Sequence, residues 1–129
     1  MTNWTSDELN KIGTADELEI ASLRRDGTLR KPVTIWVVRI GDDLYVRSVN
    51  GRTSGWFRGM QVRHEGHIRA GGVDKDVTFV DETDPIIISQ VDAAYRSKYR
   101  RYSANYVDPM LVPGARAATL KLAPRPAGV

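Results

Sequence analysis

Five residues able to hold an anion fall between positions 47 and 54: Arg47, Ser48, Arg52, Thr53 and Ser54. A phosphate or carboxylate needs fixed donors and cations, and an arginine fork offers two parallel donors at once. The segment runs on into Trp56-Phe57-Arg58-Gly59-Met60-Gln61, a short helical pattern that Thr53 or Ser54 is placed to cap. Free N–H groups and the positive end of the dipole make such a helix start attract anions. Gly51 and Gly55 would let the backbone come close to a ligand. Without a ligand, Asn50-Gly51 reads as a simple chain reversal with solvated arginines, and these residues alone leave both readings open.

Other chemistries fit less well. The chain has no cysteine, which removes disulfides, thiolate catalysis and cysteine-ligated zinc. Gly51, Gly55 and Gly59 are spaced by four and match neither a phosphate-binding Walker loop nor a dinucleotide fingerprint. Ser54 sits in Arg-Thr-Ser-Gly-Trp, which is not a nucleophile elbow. His64 and His67 form an HxxH spacing without a third ligand, so surface histidines are expected and no metal. Tyr95, Tyr99 and Tyr102 could give protons to a substrate, but helix-to-barrel packing explains at least two of them. Lys98 could reach an anion or simply end a helix in solvent.

The elements that must position these groups follow from periodicity. Thr5 with Glu8 is a capping box, and Leu9, Ile12 and Gly13 give a helix of one or two turns. From Asp16 the pattern alternates, with Leu18 and Ile20 on one face, until Asp26-Gly27 turns the chain. Pro32 opens a strand from Val33 to Ile40 in which Val33, Ile35 and Val37 line one face and Trp36, Val38 and Ile40 the other. Both faces being apolar, the strand needs barrel closure, a packed helix or a second subunit to cover it. After Gly41-Asp42-Asp43 its hairpin partner carries Leu44, Val46 and Ser48 against Tyr45, Arg47 and Val49.

Gly66 to Ala70 and Lys75 to Val80 read as another strand pair, with Ile68, Ala70, Val77 and Phe79 toward the core. Asp84 as N-cap and Pro85 at the first helical position start a longer helix bearing a stripe of Ile88, Val91, Tyr95, Tyr99 and Tyr102. Ser103 to Arg116 is expected to be irregular, Ala118 to Ala123 a closing strand, and Pro124 to Val129 a frayed tail. The expected order is a small helix, five strands interrupted by one helical turn, a longer helix and a last strand. Locally connected strands that outnumber helices suggest a mainly β fold with some α, a small antiparallel barrel with helices packed outside.

Length and charge bound the answer. A chain of 129 residues builds one substantial core, so one domain spanning residues 1–129 is expected. The net charge of +3 is mild, but fourteen of the nineteen cations are arginine. No apolar run is long enough to cross a bilayer, and the start, MTNWTSDEL, is polar and acidic. A cytoplasmic protein without a membrane partner is the expectation.

The pieces Arg30-Lys31-Pro32-Val33-Thr34-Ile35-Trp36-Val37, Leu44-Tyr45-Val46-Arg47-Ser48, Gly55-Trp56-Phe57-Arg58 and Ala94-Tyr95-Arg96-Ser97-Lys98-Tyr99 together span most of the chain. In residues and order they resemble the split β-barrel flavin-binding proteins, which include pyridoxamine phosphate oxidase-like and deazaflavin-dependent nitroreductase-like members. More closely, the chain resembles a bacterial family of that group bearing only a domain-of-unknown-function label. The resemblance implies a small antiparallel split β-barrel with flanking helices, acting as a homodimer with a flavin at the junction of the two barrels. The cofactor would be FMN or 8-hydroxy-5-deazaflavin.

Carried over residue by residue, the phosphate end falls to Arg30, Lys31, Thr34, Arg47, Ser48, Arg52 and Trp56. The anion-binding reading adds Thr53 and Ser54. Trp36, Trp56 and Phe57 would then form a wall for the ring, although such residues are more often core or dimer interface. The Asn50–Gly55 loop is short for deazaflavin-type relatives, and no catalytic side chain can be matched.

Three functions follow from the sequence. The first is a flavin- or deazaflavin-dependent oxidoreductase acting on a small molecule, in which the cofactor carries the hydride chemistry. The second is a cofactor-free dimeric small-molecule binder on the same fold. The third, a nucleic-acid-binding barrel, is disfavoured by the low net charge and the missing ribonucleoprotein aromatic motif. On the first reading, Arg47→Ala and Arg52→Ala should each weaken phosphate binding by about 1.5–3 kcal/mol.

Overall fold

Alternating apolar residues need a sheet with an inside, and seven strands supply it. The computed structural model describes residues 4–125. The expected tail therefore lies, from residue 126 on, outside the described residues, and Pro124 itself ends the last strand. The strands are β1 (Leu18–Ser22), β2 (Val33–Ile35), β3 (Val37–Ile40), β4 (Asp43–Arg47), β5 (Glu65–Ala70), β6 (Val73–Asp81) and β7 (Thr119–Pro124). They pair in the order β2-β1-β5-β6-β7-β4-β3, every neighbour antiparallel. This is a nearly closed barrel of the split type, with its two free edges in the strands that flank Trp36.

Helices pack around it: α1 (Ser6–Thr14), α2 (Gly55–Arg63), α3 (Pro85–Lys98) and two single turns, α4 (Ala104–Val107) and α5 (Pro113–Arg116). Thr5 and Glu8 close the reciprocal capping box, and α1 runs nine residues, longer than the one or two turns expected. Asp84 Oδ1 accepts from the Ile86 N–H at 2.9 Å with Pro85 at the helix start, as its sequence requires. Among the described residues no helix is long and apolar enough to cross a membrane.

The interior is filled by one side of each strand, including Leu18, Ile20, Leu44, Val46, Ile68 and Phe79, all 2% exposed or less. A second cluster outside the barrel wall joins Val38 and Tyr45 to Val91, Tyr95 and Tyr99 of α3. The two apolar faces expected for the segment 33–40 thus meet two different cores: Val33, Ile35 and Val37 the inner, Trp36, Val38 and Ile40 the outer.

The single strand expected there is two. β2 pairs with β1 and β3 with β4, at opposite ends of the sheet, with the break at Trp36. The reason lies in α3, whose C-terminal side chains satisfy the backbone at the break. The Val37 N–H donates to Tyr99 Oη at 3.1 Å, and Lys98 Nζ donates to the carbonyls of Ala15 and Val37 at 2.6 Å each. Buried backbone groups must find partners, and side chains here replace a ladder. The stretch 103–116, expected to be irregular, holds α4, α5 and a 3-10 turn at Asp108–Met110, because Pro109 and Pro113 each sit at a helix start where a missing N–H does no damage.

Candidate functional site

Two adjoining clefts open beside β2, sharing Val33 and Trp56. The smaller, about 220 Å³, is lined by Ser22, Arg30, Lys31, Gly55 and Trp56 over a floor of Ile20 and Phe79. The larger, about 450 Å³, is lined by Thr34, Trp36, Val49, Asn50, Asn105 and Tyr106, with Met110 and Arg47 at its base. Five of the expected ligand-binding residues, Arg30, Lys31, Thr34, Trp36 and Trp56, are therefore brought to one connected depression. Arg47 borders it, and Ser48, Arg52, Thr53 and Ser54 do not line it.

The smaller cleft is cationic for a structural reason. Arg30 follows the Asp26-Gly27 turn, and its backbone N–H is held by the Ser22 carbonyl at 2.9 Å, which keeps the Arg30-Lys31 pair beside β1. The Arg30 Nε is buried and finds no hydrogen-bond partner among the described residues. A buried donor left unmade costs about 1–3 kcal/mol, so a group that accepts from it would be welcomed.

The start of α2 adds to this positive field. Its N-cap is Ser54, but neither Thr53 nor Ser54 makes the expected side-chain cap. Ser54 Oγ is turned instead to Ser48 Oγ, 2.7 Å away, because the Asn50–Ser54 loop folds as a 3-10 turn back onto β4. The first-turn N–H groups beside Gly55 thus have no capping side chain.

Three expectations take a different shape. Arg47 is no free fork: its side chain is 0% exposed, and its guanidinium donates to Thr119 Oγ1 (2.8 Å), Asp92 Oδ1 (2.5 Å) and the carbonyls of Met110 (3.0 Å) and Ile88 (2.9 Å). It lies on the outer face of β4, directly beneath α3, so the helix closes over it and supplies the counterion. Arg52 is exposed but turned away, donating to the Ala117 carbonyl at 3.1 Å and lying over the Phe57 ring at 5.1 Å. Trp36 is not an open wall, since Tyr99 stacks on it at 3.9 Å with the planes 3° apart and Tyr102 at 5.4 Å. Trp56 is the aromatic ring common to both clefts.

The histidines, Tyr95, Tyr99 and Lys98 do not line the clefts. His64 caps α2 with a left-handed backbone (φ 55°) and faces Asp81, while His67 is held between Asp74 and Asp76. No group of metal-ligating side chains forms among the described residues. Tyr95 and Tyr99 are buried, and burial pushes both phenols well above their ordinary range, which suits packing rather than proton donation. Desolvation lowers the Lys98 ammonium to about 8.

Sequence reasoning missed Ser22, Asp92, Asn105 and Tyr106. Two of these had a signal. Ser22 follows Leu18 and Ile20 at spacing two, a hydroxyl on an otherwise apolar inner face. Asp92 falls four residues after Ile88 and three before Tyr95, an acid on the buried stripe of α3.

Comparison with known proteins agrees with this architecture. The fold is a split β-barrel shared with several solved structures. The chain belongs to the bacterial family described as "Uncharacterized protein conserved in bacteria" (DUF2255), which matches residues 8–122. No functionally curated protein matches it in sequence. Among solved structures, ChuZ of Campylobacter jejuni is similar with a TM-score of 0.67 at 14% identity, over 97% of this chain. This chain spans only 55% of the length of ChuZ. HutZ, the heme storage protein of Vibrio cholerae, is similar with a TM-score of 0.63 at 14% identity over 95% of this chain and 91% of its own. A FAD-binding protein of Mesorhizobium loti gives 0.60 at 16% identity over 97% and 93%.

Proposed function

We propose that this chain binds a flavin or deazaflavin, FMN or 8-hydroxy-5-deazaflavin, and serves a cytoplasmic oxidoreductase reaction on a small molecule, two copies forming the working unit. The observation that carries the reading is a cationic cleft with an unmatched buried donor, Arg30 Nε, continuous with a larger cleft of aromatic and amide side chains. An anionic tail fits the first and a flat polar ring fits the second. FAD binding by the Mesorhizobium loti relative on the same fold supports the ligand class. When bound, the cofactor supplies hydride transfer. The chain's part is to neutralise the tail through Arg30 and Lys31, to offer a flat ring the face of Trp56, and to exclude water. Val49 (45% exposed) and Tyr106 (66% exposed) stand out beside the larger cleft and suit burial by a second copy.

The test is the absorbance spectrum of the protein as purified, followed by titration with FMN and with the deazaflavin while tryptophan fluorescence is recorded. Quenching that saturates, and that Lys31→Ala weakens by about 1.5–3 kcal/mol, is expected. No response to either cofactor, or a heme absorption band in place of a flavin one, overturns the reading. A cofactor-free binder is the second reading, favoured because no carboxylate or imidazole among the described residues lines either cleft. Thermal stabilisation by a small molecule without turnover would select it.

A further inference from the structure

α3 turns one face to the barrel and the other to water. Val91, Tyr95 and Tyr99 pack inward against Val38 and Tyr45. On the other side Ile86, Gln90, Ala93, Arg96 and Arg100 recur at steps of three and four residues, all of them exposed, and Ile86 keeps 69% of its surface in water. Pro85, Ile86, Ser89, Gln90 and Ala93 line a shallow, largely apolar groove there. Charge is divided along this face, with Asp81 and Asp84 at its start and Arg96 and Arg100 at its end. The helix dipole favours that division but leaves the bare isoleucine unexplained.

Turned end for end, the face complements itself. In two antiparallel copies sharing an axis at Gln90, Ile86 of one copy meets Ala93 of the other, Arg96 meets Asp84, and Arg100 meets Asp81. Each of these pairs of positions is centred within half a residue of Gln90. A two-fold contact uses every such pairing twice, and antiparallel dipoles attract. The acids have capacity to spare: Asp84 Oδ1 accepts from the Ile86 N–H, while Asp81 meets His64 and Arg52 only at 3.7 and 3.9 Å. We infer that the outward face of α3 is a docking surface for a second copy of this chain, the two helices running antiparallel about Gln90.

None of these residues lines either cleft, so the contact is separate from the flavin reading and from pairing through Val49 and Tyr106. One helix pair buries less than the ~1,600 Å² of a standard stable interface, which makes the association weak and concentration-dependent. Its ion pairs lie at the surface, so salt weakens it further.

Sedimentation velocity of the full chain, without added cofactor, reads the contact at low salt and at about 0.5 M salt. Two charge variants are compared with wild type: Arg96→Glu with Arg100→Glu, and Asp81→Lys with Asp84→Asn, in which asparagine keeps the helix cap. At low salt and equal concentration wild type should have twice the mass of either variant. The higher salt, or Ile86→Ser, should weaken its association ~10-fold or more.

Mixing the two charge variants should restore the doubled mass. In the mixed pair one end keeps the native signs and the other carries them reversed, so both ends attract, whereas each variant alone places like charges together. Every mass is read against the Arg96→Glu, Arg100→Glu chain, so a pair formed through the clefts, present or absent, cancels from the comparison. Equal masses for wild type and that variant overturn the docking surface. A mixture that stays at the lower mass overturns the antiparallel register. If a charge variant melts well below wild type, Ile86→Ser decides: its uncharged, exposed substitution should lose the doubled mass at an unchanged melting temperature, and retention of that mass overturns the proposal.

Discussion

Replacing Arg47 by alanine should unfold this protein more readily than it impairs any ligand. The guanidinium is wholly enclosed and makes four hydrogen bonds, to Asp92, Thr119, Met110 and Ile88, tying β4 to α3, β7 and the 3-10 turn. Removing one partner of a buried ion pair costs about 3–5 kcal/mol, because the other charge stays buried. Here Asp92 keeps a second cation, Arg116 Nε at 3.1 Å, which moves the expectation toward the lower end, about 3 kcal/mol. Against a total stability of roughly 5–15 kcal/mol that is a large fraction.

Urea denaturation read by tryptophan fluorescence measures it as a fall in midpoint at constant slope. A cycle sharpens the argument. Arg47→Met with Asp92→Leu removes both charges; the buried Arg116 Nε loses Asp92 while its side chain overall is 38% exposed, and the double variant should lose less than the two single variants together. An Arg47→Ala variant that loses under ~1 kcal/mol, or single effects that simply add, would refute this account. Unchanged stability combined with a large loss of flavin affinity would restore Arg47 to the anion grip.

Gly66→Ala should be severely destabilising, by about 3 kcal/mol or more, because its Cβ would meet the Ala21 carbonyl at 2.1 Å and the Phe79 ring at 2.8 Å inside the sheet. A thermal melt within a few degrees of wild type would contradict it. Lys98 gives a pH signature. Its folded pKa, lowered to about 8 chiefly by desolvation and opposed by Asp16, lies below the ordinary lysine value of 10.5, so the unfolded chain holds the proton more tightly. Stability should therefore rise as pH increases from about 8 toward about 10.5, by on the order of 1 kcal/mol once its partial exposure is allowed for, and Lys98→Met should remove that rise. A slope of equal size in both proteins would place the titration elsewhere.

Much of the scaffold was legible because its determinants are local. The capping box at Thr5 and Glu8, the Asp84-Pro85 helix start, and the period-two alternation that sends Val37 inward and Val38 outward depend on neighbours within a few residues. The resemblance to split β-barrels and to a bacterial domain-of-unknown-function family likewise followed from short pieces in order, and the fold and family bear it out. It also pointed to the Arg30-Lys31 pair and Trp56, which the fold brings to one cleft.

The fate of each charged group was another matter. Arg47 and Arg52 look equivalent in sequence, yet one is enclosed beneath a helix whose acid lies 45 positions away, and the other donates to the Ala117 carbonyl at the end of α5. The break at Trp36 was equally invisible, since side chains at positions 98 and 99 create it. Periodicity tells which way a residue faces. Only the assembled molecule decides what stands opposite, because burial and pairing are set by contacts between segments far apart along the chain.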